Sequence, residues 1–255
     1  CCTNIPPMQR SINIISGQIP CPNTPGDAQQ TYFLIEGLCA AGTNVHLYTF
    51  SELDSAPNTK LDIAPDPELS KICASIHTYS IHKGHRNFSF SMPYATAQYQ
   101  NERLINDLAK NNYPILIEGL GPCSLALSKT LEHKKTWVRM HTFAPGYFGY
   151  LQERSKAPLK KLFYQREAAL SKKVLKKISA RVQWIVPTLA EKSNLDNLFL
   201  GGKIQMLAPF NNNNNNITGK TGLGNYCLFQ GNLADAATHK TAVWLLTHVF
   251  HNLAV

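Results

Sequence analysis

No run of this 255-residue chain approaches the roughly 20 consecutive apolar residues that a membrane-crossing helix needs, so a bilayer-spanning protein is not expected. The opening Cys1-Cys2-Thr3 carries neither a basic n-region nor a long apolar h-region, so a secretory leader is not expected either, and Met is absent from position 1. The seven cysteines contain no CxxC pair and no regular spacing, a pattern of free thiols in a reducing, cytoplasmic setting rather than a disulfide framework. A GxSxG elbow is absent, which removes the usual signature of a serine hydrolase. GxxxxGK[ST] is absent too, so Gly219–Gly224 is not a phosphate loop, and no strand leads into it. His77, His82 and His85 lack Cys or carboxylate companions at metal-site spacing, and no metal is expected. Acidic residues are scarce, 16 against 25 Lys and Arg, leaving a formal charge of +9.

Short apolar runs alternate with helical patterns. Ser11–Ile15 reads as a strand, ended by Gly17 and the turn-rich Pro20–Gly26. Asp27 is placed to cap a helix whose Phe33, Leu34, Leu38 and Cys39 share one face, with Gly42 at its exit. Val45–Phe50 is the next strand, completing a βαβ unit and predicting a parallel sheet. Ser51–Pro67 is expected to be irregular, Ile72–Ile81 a strand, and Tyr94–Asn111 a helix with Tyr99, Leu104, Ile105 and Leu108 inward. Pro114–Glu118 is a buried-strand run, followed by Gly119–Pro122 and a helix to Leu131. Thr136–Met140 is a strand that delivers His141 at its carboxyl end. Helices follow at Leu159–Ile178 and from Thr188 to Leu198, with strands at Val182–Val186 and Ile204–Leu207.

Ligands of open parallel sheets sit at the carboxyl ends of the strands, and three candidate sites fall there. The loop from Gly17 through Gly26 to Asp27 could bring backbone amides to an anion at a helix N-terminus. Glu118 and Gly119 follow a hydrophobic strand and could line a ligand. His141 can hydrogen-bond a sugar hydroxyl or phosphate, or move a proton. Arg139, read as preceding it on the strand, is expected to point to the opposite face. Ten Lys and Arg between Arg154 and Arg181 form either a solvated helix face or a surface for anionic lipid headgroups or phosphorylated ligands. Nucleic acid is not expected, because few aromatics interleave with those charges.

The order of the segments Ile19–Asp27, Leu34–Leu38, Asn44–Leu47, Ile115–Gly119, Val138–His141 and Tyr226–Leu233 resembles bacterial GT-B glycosyltransferases, closest to the large retaining group 1, or family 4. The resemblance implies an α/β fold. A Rossmann-like parallel sheet flanked by helices forms the acceptor-side domain, and a second Rossmann-like domain holds the nucleotide-sugar donor. It implies hexosyl transfer to a saccharide or lipid-linked acceptor, with no metal or other cofactor. Gly26 matches a glycine near the donor phosphates, although Asp27 stands where a second glycine is usual. Gly119 matches the loop after the middle strand, and His141 a histidine that contacts the donor sugar. Gly231 matches the loop opening the donor domain, with Asn232 in place of a nearby basic residue.

The expected organisation is a tail at 1–10, the acceptor-side domain at 11–210, an Asn- and Gly-rich linker at 211–224, and the first βα unit of the donor domain at 225–255. The family's Glu-x7-Glu region has no counterpart within 255 residues, so an incomplete, inactive or feeble transferase is expected. A non-catalytic sugar- or nucleotide-binding module on the same scaffold is the alternative. The expected location is cytoplasmic, or peripheral at the inner face of the membrane through 154–181.

Overall fold

A computed structural model of the chain describes residues 10–24, 26–51, 60–61, 67–81, 88–198, 203–209, 228–229, 231, 233 and 236–252. Eight strands form one sheet: β1 (Arg10–Ser16), β2 (Thr43–Ser51), β3 (Lys60–Leu61), β4 (Ser75–Ser80), β5 (Ile115–Glu118), β6 (Thr136–Arg139), β7 (Gln183–Val186) and β8 (Ile204–Met206). Their spatial order is β3-β4-β2-β1-β5-β6-β7-β8. The short β3 pairs antiparallel with β4, and every other neighbour is parallel. This is an α/β fold with a Rossmann-like parallel sheet flanked by helices.

Strand alternation feeds two cores, as a sheet covered on both faces requires. Ile14, Leu47 and Leu116 pack with Tyr32, Leu34 and Ile35 of α1 (Asp27–Ala40) and Leu69 of α2 (Pro67–Ile72). Their strand neighbours Ile15, Tyr48 and Ile117 belong to the opposite core. That core is closed by Leu104 and Leu108 of α4 (Glu102–Ala109) and by Val174, Leu175 and Ile178 of α6 (Pro158–Ser179). It also takes Leu195 of α7 (Leu189–Leu198). Cys123 lies wholly inside it, and burial pushes that thiol up to about 12. Cys21, Cys39, Cys73 and Cys123 are free thiols.

Local departures from expectation have local causes. Tyr94–Asn111 is two helices, α3 (Tyr94–Ala97) and α4, because Asn101 accepts from the Leu104 N–H at 3.0 Å and starts a new helix. Ile72 ends α2, so the strand expected from Ile72 begins only at Ser75. Gly121–Leu127 and Lys129–Leu131 are 3₁₀ turns rather than one helix. The helix α5 (Ala144–Arg154) falls in a segment to which the sequence assigns no element; it contains Pro145, Gly146 and Gly149, residues of low helix propensity. Thr188 caps α7, accepting from the Glu191 N–H at 3.3 Å while its hydroxyl donates a hydrogen bond to the Glu191 carboxylate.

The chain divides into two compact units, Cys1–Asn212 and Asn213–Val255. In the second, α8 (Ala236–Trp244) runs on through a π-helical turn at Leu245–Val249 and a 3₁₀ turn at Phe250–Asn252. Val243, Trp244 and Leu246 are exposed there. The whole of the expected linker at 211–224 and residues 225–227 lie outside the described residues, and residues 228–229 carry no strand pairing.

His46 on β2 lies 2.8 Å from Ser75 Oγ and stacks on Tyr113, and burial holds its imidazole below the ordinary range. The folded chain therefore binds fewer protons at this site than the unfolded chain in the acid range. Its contribution is complete above the ordinary imidazole value of about 6.5 and is lost as pH falls toward the lower folded value. Urea unfolding across this range is expected to show a shallower acid loss of stability in His46→Gln than in the wild type.

Candidate functional site

β1 and β5 lie side by side, and their onward connections diverge, β1 toward β2 and β5 toward β6. A crevice opens at such a switch point outside the carboxyl ends of the strands. Ser16 is in register with Glu118, and Glu118 with Arg139, so three strand ends share one level. Glu118 is only 5% exposed. Its Oε2 accepts from Arg139 Nε at 2.8 Å and from His141 Nε2 at 2.9 Å. The Thr31 hydroxyl lies 3.3 Å from the same oxygen and 2.8 Å from the Asp27 carbonyl, so its single proton can serve either. Among the described residues, the buried Glu118 Oε1 has no hydrogen-bond partner.

Arg139 thus shares a face with His141, contrary to expectation. Met140 stands between them, so the two-residue strand repeat puts 139 and 141 on one side and sends Met140 into the core. In the neutral form of the ring, donation from Nε2 to Glu118 leaves a lone pair on Nδ1. Nδ1 lies 3.7 Å from Asp27 Oδ1, beyond hydrogen-bond range, and the Asp27 side chain is 61% exposed. Two cavities, of about 210 and 330 Å³, share Asp27, Gly119, Leu120 and His141 in their walls. Tyr147 and Phe148 of α5 complete the first, and Gly17, Gln18, Gln98 and Tyr99 help line the second. No lysine or arginine lines either among the described residues. Nor does any set of three His, Cys, Asp or Glu side chains among the described residues converge as a metal site would require.

The structure therefore gathers Gly17, Asp27, Glu118, Gly119 and His141 around one crevice. Gly26 stands apart as the residue before α1, at φ 99°, with its carbonyl accepting from Gln30 N. Asp27 is the first helical residue and makes no side-chain cap, which corrects the expected capping role. Its carboxylate occupies the helix end that an anion would favour, so the loop is a poor phosphate cradle. Gly17 and Gly121 instead make room for Tyr99, since a Cβ would come within 3.2 Å of that side chain at Gly17 and 2.5 Å at Gly121. Gly119 holds φ 77°, a left-handed turn at the strand end. In the second unit, Gly231 allows close approach of Thr238, where a Cβ would lie 2.5 Å from Cγ2, and Asn232 lies outside the described residues. Sequence reasoning overlooked Thr31, although it sits one helical turn after Asp27, on the same face.

No family model matches the sequence, and no curated protein matches it. Solved structures similar to the chain include Medicago truncatula UGT71G1 complexed with UDP-glucose, at 11% identity and a TM-score of 0.42 over 78% of this chain and 51% of that one. Another is a UGT transferase from Siraitia grosvenorii in complex with UDP, at 11% identity and a TM-score of 0.40 over 78% and 50%. The chain spans about half the length of each.

If Tyr99 is what the two glycines accommodate, Gly121→Ala should cost about 1–3 kcal/mol by overpacking. Combining it with Tyr99→Leu should recover part of that loss relative to the sum of the single changes. Thermal unfolding of the double-mutant cycle reads the coupling directly.

Proposed function

We propose that this chain is the acceptor-side portion of a GT-B glycosyltransferase of the retaining group 1, or family 4, type, transferring a hexosyl group from a nucleotide-sugar to a saccharide or lipid-linked acceptor without a metal. One observation carries this reading. The buried Glu118 holds the His141 ring so that Nδ1 and the Asp27 carboxylate, 3.7 Å apart, can act as paired acceptors in a crevice that no lysine or arginine lines among the described residues. Such a pair suits two neighbouring hydroxyls of a pyranose, each donating one hydrogen bond. It does not suit a diphosphate, whose charge asks for cations or free helix N-termini.

In the proposed reaction the bond from the anomeric carbon to the diphosphate oxygen breaks, and its electron pair leaves with the nucleoside diphosphate. The acceptor hydroxyl oxygen bonds to that carbon, and its proton passes to the departing diphosphate oxygen. His141 and Asp27 would orient sugar hydroxyls, Glu118 and Arg139 would hold the imidazole, and Gly119 would keep the strand end low beneath it. The donor phosphates would be held by residues outside this crevice. A cytoplasmic location and peripheral contact with an anionic membrane through 154–181 belong to the same proposal.

Titrating the chain with methyl hexopyranosides and, separately, with UDP tests it, using NMR shifts of the His141 ring. Hexopyranosides are expected to bind weakly and shift the ring, with His141→Ala and Asp27→Ala each weakening binding roughly tenfold. Binding of UDP at these residues without any saccharide effect would favour the non-catalytic nucleotide module. Silence toward both ligands would leave the crevice without a sugar role.

A further inference from the structure

The ten basic residues at 154–181 are not one uniform surface. Arg166 turns inward, pairing with Glu167 and donating to the Ser89 and Met92 carbonyls, while its guanidinium lies 4.1 Å over the Phe88 ring. Glu167, the sole acidic residue of α6, is buried in that pairing. The exposed surface of α6 therefore carries only positive charge, on Lys160, Lys161, Lys172, Lys173, Lys176 and Lys177.

The first turns of the same helix expose apolar side chains. Leu159 is 83% and Leu162 64% exposed, with Phe163 beside them. These three lie on the helix face that Arg166 continues, following the three- and four-residue helical spacing. Arg166 pins the segment at 88–92 against that face, and this segment presents Phe90, 91% exposed, packed edge-to-face on Phe88. Apolar tips flanked by lysines, on a helix with no exposed acid of its own, suit a helix that lies in a lipid interface, and Glu153 at the end of α5 is the exposed acid nearest in sequence. A second copy of the chain fits poorly, because it would bring like charges together.

We propose that the N-terminal end of α6 and the adjoining 88–92 segment form a docking surface for an anionic bilayer. Leu159, Leu162, Phe163 and Phe90 enter the headgroup boundary, and Lys160 and Lys161 meet lipid phosphates. The inference narrows the membrane contact to one end of the basic stretch and does not depend on the sugar chemistry.

Co-sedimentation of the chain with vesicles of equimolar phosphatidylcholine and phosphatidylglycerol provides the test. Binding is expected there and not to phosphatidylcholine alone. Leu162→Glu should weaken it roughly tenfold, and Lys160→Gln with Lys161→Gln should flatten its salt dependence. Thermal melts of these surface variants should match the wild type. In a Leu162→Trp variant, quenching of the new indole by brominated lipid should rise on vesicle binding. Three results would overturn the proposal: no binding to the anionic vesicles, binding that Leu162→Glu leaves unchanged, or a dimer in equilibrium sedimentation that Leu162→Glu dissolves.

Discussion

A carboxylate sealed beneath the carboxyl edge of the sheet is the constraint on which this site depends. Moving a charged group out of water is costly unless donors compensate it, and Glu118 has two on one oxygen, the Arg139 guanidinium and the His141 ring. Both come from β6 and its exit, and the Thr31 hydroxyl approaches from α1, so one side chain ties three elements at the switch point. Removing either donor would leave the carboxylate oxygen less well solvated, and removing the carboxylate would take the ion pair from a buried guanidinium. The imidazole is thereby held by its surroundings rather than by its own strand.

The same arrangement sets the electrostatic character of the crevice. Arg139 is consumed by Glu118, and Asp27 adds an exposed carboxylate at the start of α1. The helix end that could have served a phosphate already faces a negative group. Among the described residues, the cavity walls combine the His141 ring and the Asp27 carboxylate with the Gln18 and Gln98 amides, beside the aromatic rings of Tyr99, Tyr147 and Phe148.

Much of the fold was legible because burial on both sheet faces leaves a plain trace in sequence. Ile115–Ile117 is a continuous apolar run, and Ile14 and Ile15 enter opposite cores, as a central parallel strand requires. His141 and Glu118 could be placed at strand ends from the same trace. The partnership between them could not, because it depends on the register of β5 against β6, which no local pattern encodes. Arg139 was put on the wrong face by overlooking Met140, an error in strand parity rather than in chemistry. Gly17 and Gly121 were legible as glycines but not as neighbours of Tyr99, since that ring arrives from a distant turn. The helix α5 was hidden by its own Pro and Gly residues, which local propensity disfavours and tertiary packing tolerates.

Topology also relates the crevice to the exposed end of α6. His141 leaves β6 at its carboxyl end, and the chain passes through α5 into α6 before entering β7 at its amino end. The C-terminal end of α6 therefore lies near the amino edge of the sheet, and its N-terminal end points toward the carboxyl edge. At about 1.5 Å per residue its 22 residues extend roughly 33 Å, whereas a four-residue strand covers about 13 Å. The helix must overshoot the strands. Its burial pattern agrees, since the buried residues begin only at Glu167 and run to Ile178. The unburied turns carrying Leu159, Leu162 and Phe163 thus project on the side of the sheet where Glu118 holds His141. A surface engaged by those turns would face the edge of the fold at which the crevice opens.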